Sequence, residues 1–197
     1  MVVEMKETIK KLIEEIGADL NNEHLSETPI RVERLFKNFF TYDKTMKVMS
    51  SKKRNTDCEK NIIPITIFDN KEKLNDIILS DGTFVSFCPH HIVNFFGDYV
   101  FGYLPQDYII GKSKIDTVVK YFCGRLSTQE TLVNDIADWF QKNLKPQGVF
   151  FMMKGKHLCE FLTTNKISNF TTSAVRGCFG KEEMKEEVYK MISFRCD

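Results

Sequence analysis

The sequence predicts an α+β fold. Apolar residues recur at helical spacing near both ends and in the middle of the chain, while residues 62–104 break into short runs rich in β-branched and aromatic side chains. At 197 residues and 42% hydrophobic content, the chain is long enough and apolar enough for one domain, or one domain with an appended helical arm.

From Met5 to Ile16 the apolar positions Met5, Ile9, Leu12, Ile13 and Ile16 recur at three and four, giving an amphipathic helix that Gly17 ends. The stretch Leu25-Ser26-Glu27-Thr28-Pro29 opens a second helix, with Val32, Leu35, Phe36, Phe39 and Phe40 as its buried stripe. His24 reads as a surface loop residue. Residues 43–60 are polar, basic and aperiodic, and are expected to form a partly mobile loop in which Lys52, Lys53 and Arg54 are a solvated charge run. Residues 1–60 are therefore assigned to an N-terminal helical arm and mobile loop, and 61–197 to the main domain.

Strands are predicted at Ile62 to Phe68, Leu74 to Leu79 and Thr83 to Phe87, punctuated by Asp69-Asn70 and Asp81-Gly82. A longer strand runs from Asn94 to Leu104 and is closed by Pro105. Ser113 is expected to cap a helix with Ile115, Val118, Val119 and Phe122 on one face. After the turn Gly124-Arg125-Leu126, a further helix spans about Ser127 to Asn143, and Pro146-Gln147-Gly148 breaks it. Strands follow at Val149 to Met153, from Lys156, and at Thr171 to Phe179, before a charged amphipathic helix from Glu182 to Ile192.

Composition removes several functional classes. Twenty-eight basic and 27 acidic residues nearly cancel, so no global field exists to hold nucleic acid or an anionic membrane. No apolar run approaches the roughly 20 residues of a membrane span, and the N-terminal stretch mixes acids and bases at helical period, so a cytoplasmic protein is expected. Six cysteines without a sign of secretion point to reduced thiols and favour metal binding over a disulfide framework. Cys58, Cys123, Cys178 and Cys196 read as ordinary small hydrophobes.

The chemistry concentrates in Cys88-Pro89-His90-His91. Cys88 and His91 stand at a spacing that lets two side chains of one tight turn reach the same metal ion, and His157-Leu158-Cys159 offers a distant partner. Two thiolates and one imidazole suit Zn2+, and three protein ligands leave a fourth tetrahedral position for water, as in catalytic rather than closed structural sites. A Cys88–Cys159 disulfide is the plainer reading, but histidines beside both cysteines argue against it.

The order and spacing of several motifs resemble the GTP cyclohydrolase I family over nearly the full length. The landmarks are Thr28-Pro29-x-Arg31-Val32, Cys88-x-His90-His91, Tyr103-Leu104-Pro105, Gly111-x-Ser113-Lys114, Gln129-Glu130, His157-Leu158-Cys159 and Thr172-Ser173-Ala174. The resemblance implies a tunnelling fold: a four-stranded antiparallel sheet with helices on one side, closed by several subunits into a β-barrel. It also implies a homo-oligomer, usually a decamer, with sites between subunits. Carried over by residue, Cys88, His91 and Cys159 would be zinc ligands, and His90 and His157 would transfer protons. Glu130 and Gln129 would read guanine, and Arg31, Ser113 and Lys114 would meet the rest of the nucleotide. The implied reaction opens the imidazole ring of GTP at C8, releases formate and yields 7,8-dihydroneopterin triphosphate for pterin or tetrahydrofolate synthesis. Taken alone, Glu130 reads as a solvent-facing helical residue; for His90 and His157 the alternative of satisfied core histidines is the weaker reading, because they are contiguous with two different candidate ligand cysteines.

Three positions depart from the family pattern. Pro89 stands where the family turn usually has glutamate, and Thr117 and Thr163 stand where it has arginines that hold the triphosphate. These departures open two other readings: a cyclohydrolase for a different or less phosphorylated guanine nucleotide, or a non-catalytic purine-binding regulator.

Overall fold

A computed structural model describes residues 4–42, 47–49 and 62–193. The expected charge run at Lys52, Lys53 and Arg54, the 60/61 boundary, Cys58 and Cys196 lie outside these residues. The chain divides into two compact units, Met1–Thr41 and Tyr42–Asp197.

In the N-terminal unit, α1 (Met5–Glu15) and α2 (Thr28–Phe39) pack through Ile9, Ile13 and Pro29. Gly17, at φ +79°, takes the left-handed position that stops α1. Glu27 rather than Thr28 occupies the N-cap of α2, with Pro29 in the first turn, where no amide donor is needed. The expected stripes are only partly covered within this unit: Leu12, Ile16 and Leu35 are exposed.

In the second unit, β1 (Lys47–Met49) pairs in parallel with β2 (Ile62–Pro64). The loop expected at 43–60 thus holds a strand, which its lysine and methionine content does not announce. β3 (Ile67–Asp69) pairs with β6 (Tyr108–Ile110), a strand the sequence did not signal because it is three residues long. The main sheet is antiparallel, in the order β4 (Ile78–Phe87), β5 (Asn94–Leu104), β7 (Gly148–His157), β8 (Phe170–Gly177).

Two expected interruptions are absent. β4 runs straight through Asp81-Gly82, with Gly82 opposite Tyr99. A Cβ at Gly82 would stand 2.7 Å from the Tyr99 ring and 2.8 Å from the Asp116 carboxylate, which accepts the Tyr99 hydroxyl hydrogen bond. The glycine therefore makes room for a cross-strand ring rather than a turn. β7 likewise continues through Lys154-Gly155, because Gly155 lies opposite Gly97 on β5 and leaves space for a side chain from a helix.

α3 (Lys112–Cys123) and α4 (Gln129–Leu144) cover one face of the sheet. Ile115, Val118, Phe122, Leu132, Ile136 and Phe140 meet Phe84, Phe95, Tyr99, Phe101 and Phe151 there, and Phe101 stacks on Phe140 at 4.1 Å. Each fully buried large side chain contributes about 1.5–3 kcal/mol, so this layer fixes the platform on which the strand ends sit. Gly111, not Ser113, is the N-cap of α3. Thr128 caps α4 by accepting from the Thr131 amide, and Lys145 in the left-handed region ends it before Pro146. A short helix, α5 (Leu158–Thr164), follows β7 directly and was not foreseen. After β8, a 3-10 turn at Cys178–Gly180 leads into α6 (Glu182–Ser193), whose Val188 packs with Phe150 and Phe179 on the opposite face of the sheet.

Candidate active site

The first pair of candidate ligands, Cys88 and His91, comes from the turn between β4 and β5. The Cys88 amide donates to the Val93 carbonyl (2.9 Å) and the Ile92 amide donates to the Cys88 carbonyl (3.0 Å), so the turn closes tightly on itself. Ile92 sits at φ +53°, a costly region for a β-branched residue. The third residue arrives from the junction of β7 and α5. Because Phe95 is paired with His157, β7 ends beside the start of β5, and two residues later Cys159 reaches the turn.

The ligand atoms of Cys88, His91 and Cys159 all lie within 4.8 Å of one another. Cys88 is buried, Cys159 half-buried and His91 exposed. The donor set is the one zinc prefers, two sulfurs and a nitrogen, and a tetrahedral zinc asks for donor separations of about 3.5–3.8 Å, within reach of small rotamer changes. Burial, then the neighbouring Cys88 thiol, pushes the Cys159 thiol up from its ordinary value. A divalent cation would reverse that preference by favouring thiolates. His90 is exposed, with Nδ1 3.5 Å from the Cys88 sulfur.

His157 lies flat on Phe95, with ring centroids 4.6 Å apart and planes 4° apart, and meets Phe170 edge-on at 5.7 Å. Burial holds it below the ordinary histidine value, while Glu130 and Glu160 pull the other way. Its Nε2 is 3.3 Å from Oε1 of Gln129. Gln129 is fully buried at the start of α4, and Glu130 next to it is exposed. Glu160, on α5, accepts from the Ser168 amide (3.0 Å) and hydroxyl, which hold its carboxyl below the usual range and tie down the loop after α5. Phe95, Phe170 and Glu160 were not singled out from sequence. Phe95 and Phe170 show only ordinary strand character, and nothing in the spacing of Glu160 and Ser168 marks the pair.

The other expected site residues are carried by helices. Ser113 and Lys114 occupy the first turn of α3, whose N-cap has no side-chain partner and whose first turn has no acid. Arg31 is exposed on α2 in the N-terminal unit. Thr117 donates its hydroxyl to the Ser113 carbonyl (3.0 Å), and Thr163 donates to the Cys159 carbonyl (2.9 Å), so both hydroxyls are turned onto their own helices.

The sequence profile of the GTP cyclohydrolase I family matches residues 5–193, and the chain belongs to that family. With this membership come the tunnelling fold and the hydrolase class. The chain is 31% identical over 204 residues to GTP cyclohydrolase 1 of Clostridium perfringens, covering 96% of both chains. It is 33% identical over 192 residues to GTP cyclohydrolase 1 of Aquifex aeolicus, covering 95% of each. Among solved structures, the archaeosine synthase QueF-Like in the apo form is similar at a TM-score of 0.43 and 16% identity, covering 51% of this chain and 93% of that one.

Proposed function

We propose that the protein is a zinc-dependent cyclohydrolase that opens the imidazole ring of GTP at C8, releases formate and forms 7,8-dihydroneopterin triphosphate. The observation that carries this reading is the convergence of Cys88, His91 and Cys159 within 4.8 Å, beside a second, half-buried imidazole. Cys88, His91 and Cys159 would hold the metal, which when bound supplies a Lewis acid able to activate water near neutral pH.

The chain's own residues supply the rest. His157, pinned between Phe95 and Gln129, delivers a proton to the purine N7 as the ring opens. His90, exposed beside Cys88, relays or orients. Glu130 accepts the adjacent N1 and 2-amino donors of guanine, a pair adenine does not present. Ser113 and Lys114 meet phosphate in the first turn of α3, where the helix dipole and the lack of an acidic residue favour an anion. Among the described residues the outer strands β4 and β8 each have a partner strand on one side only, apart from an isolated bridge between Phe87 at the end of β4 and Leu126, which supports closure of the sheet by neighbouring subunits.

One observation favours a second reading, a substrate with fewer phosphates. Thr117 and Thr163 offer neither charge nor a free hydroxyl donor, since both hydroxyls bond helix carbonyls. Formate release and pterin fluorescence measured with GTP, GDP, GMP and guanosine decide between the two. Turnover confined to GTP supports the first reading, turnover best with GMP or guanosine supports the second, and turnover of none refutes both. If GTP is the substrate, Thr117→Arg with Thr163→Arg lowers the KM for GTP and leaves that for guanosine unchanged. Equal effects on both would show that these positions do not face phosphates.

A further inference from the structure

The amide of Gln129 is held more firmly than substrate recognition requires. Its Nε2 lies 3.1 Å from the Met153 carbonyl, 2.9 Å from the Phe170 carbonyl and 3.0 Å from the Thr172 hydroxyl, in a side chain with no exposed surface. Two of those neighbours are carbonyl oxygens, which only accept, so the atom facing them is the NH2 group and the amide cannot be flipped. Oε1 therefore points the other way, to 3.3 Å from Nε2 of His157. An amide oxygen only accepts, so the ring nitrogen facing it carries the hydrogen. A half-turn of the ring in its stack on Phe95 would bring a carbon rather than Nδ1 to the amide oxygen, so the hydrogen bond itself selects this orientation.

We propose that Gln129 is a positioning residue that fixes the tautomer of His157, holding hydrogen on Nε2 so that Nδ1 is the nitrogen that first takes up a proton from solvent and then, from the imidazolium, delivers it. This refines the role expected for Gln129 from sequence, where it was grouped with the residues that read guanine. It rests on the proton-transfer role proposed above for His157. Gly155 is part of the same device, because a Cβ there would lie 2.3 Å from Oε1 of Gln129. The strand gives up a side chain so that the amide can pass between sheet and helix to the ring.

The test uses zinc-loaded protein labelled with 15N in its imidazoles. With only four histidines in the chain, loss of one ring's signals in His157→Asn assigns His157. Long-range proton–nitrogen correlations are expected to show the neutral ring protonated at Nε2 in the parent. A ring protonated at Nδ1 in the parent overturns the proposal without recourse to any variant. In Gln129→Leu the fixed pattern is expected to give way to averaged signals from both tautomers, and kcat with GTP to fall about 10- to 100-fold, part of the range general acid–base catalysis supplies, while KM changes less than twofold. A rise in KM with kcat unchanged would overturn it, showing that Gln129 reads the substrate. Parent protein that turns over no guanine nucleotide refutes the proposed function, whereas the tautomer is read from the resting protein and is decided independently.

Discussion

Replacing Gly155 by alanine tests how tightly the sheet and α4 are locked around one amide. The new Cβ would stand 2.3 Å from Oε1 of Gln129 and 3.3 Å from both its Cδ and the Phe84 ring, so the methyl and the amide cannot coexist. Either Gln129 withdraws or β7 shifts. Withdrawal leaves the Met153 and Phe170 carbonyls without the donor they now share, at about 1–3 kcal/mol for each buried group left unpaired. A shift of the strand incurs overpacking strain of about 1–3 kcal/mol. Against this, alanine reduces the freedom of the unfolded chain by roughly 0.5–1 kcal/mol. The cheaper response sets the cost, so the net expectation is a destabilisation of about 1–2.5 kcal/mol, appreciable beside a total of about 5–15 kcal/mol for a domain. Urea unfolding followed by circular dichroism at fixed protein concentration measures it. The decisive arm is Gln129→Ala: once the amide is gone, the added methyl should cost less than about 1 kcal/mol, a coupling of at least ~1 kcal/mol between the two sites. A variant within about 0.5 kcal/mol of the parent, the range of a neutral substitution, or an equal cost in both backgrounds, would refute the reasoning.

Cys159→Ala is expected to lower zinc from about one per chain to none and abolish turnover, while far-UV circular dichroism stays that of the parent. Unfolding on loss of metal would identify a structural ion instead. Burial pushes the Cys123 thiol up to about 12, above an unfolded value of about 8.5, so the folded chain keeps its proton longer than the unfolded one. That contribution is complete below pH ~8.5 and is lost as pH rises toward 12, by up to ~1.4 kcal/mol per pH unit. Tyr99 and Tyr103, also raised by burial, act in the same direction at higher pH. Urea midpoints between pH 8 and 10.5, ranges set by those reference values, should fall in the parent and fall less in Cys123→Ala; equal slopes would contradict the assignment. Ile92→Gly relieves a positive φ on a side chain that is 54% exposed, and should raise stability by about 1 kcal/mol. A lower urea midpoint would show that Ile92 is not strained.

The residues that were legible in sequence are those whose environment is local. β5 was read with both ends correct because an apolar and aromatic run meets Pro105, and the Cys88-x-x-His91 turn because its spacing is its own explanation. The misread places are those where a residue answers to something distant in sequence. Gly82 and Gly155 look like turn residues along the chain, yet one accommodates the Tyr99 ring and the other the Gln129 amide. Ser113 looks like a helix cap, but the chain turns at Gly111, two residues earlier. β6 and α5 are held by what they pack against and are too short to show a period. Within the candidate site, the residues of the Cys88, His91 and Cys159 cluster and the two neighbouring histidines were visible as types and spacings. The stacking of His157 on Phe95 was not, because it depends on the register of two strands that are far apart in the chain.

That register has a consequence for how a metal-loaded protein comes into being. Cys88 and His91 close the β4–β5 hairpin, a short-range structure, but Cys159 reaches them only after β7 has docked on β5 with Phe95 opposite His157. A slip of one residue between these strands would carry Cys159 about 3.3 Å along the sheet and turn alternate side chains to the wrong face. Donors that now lie within 4.8 Å would then no longer converge. A cation held by all three residues would thus act as a proofreader of assembly: it would give its binding energy only to chains whose central strands have paired correctly, and would leave misaligned chains without it.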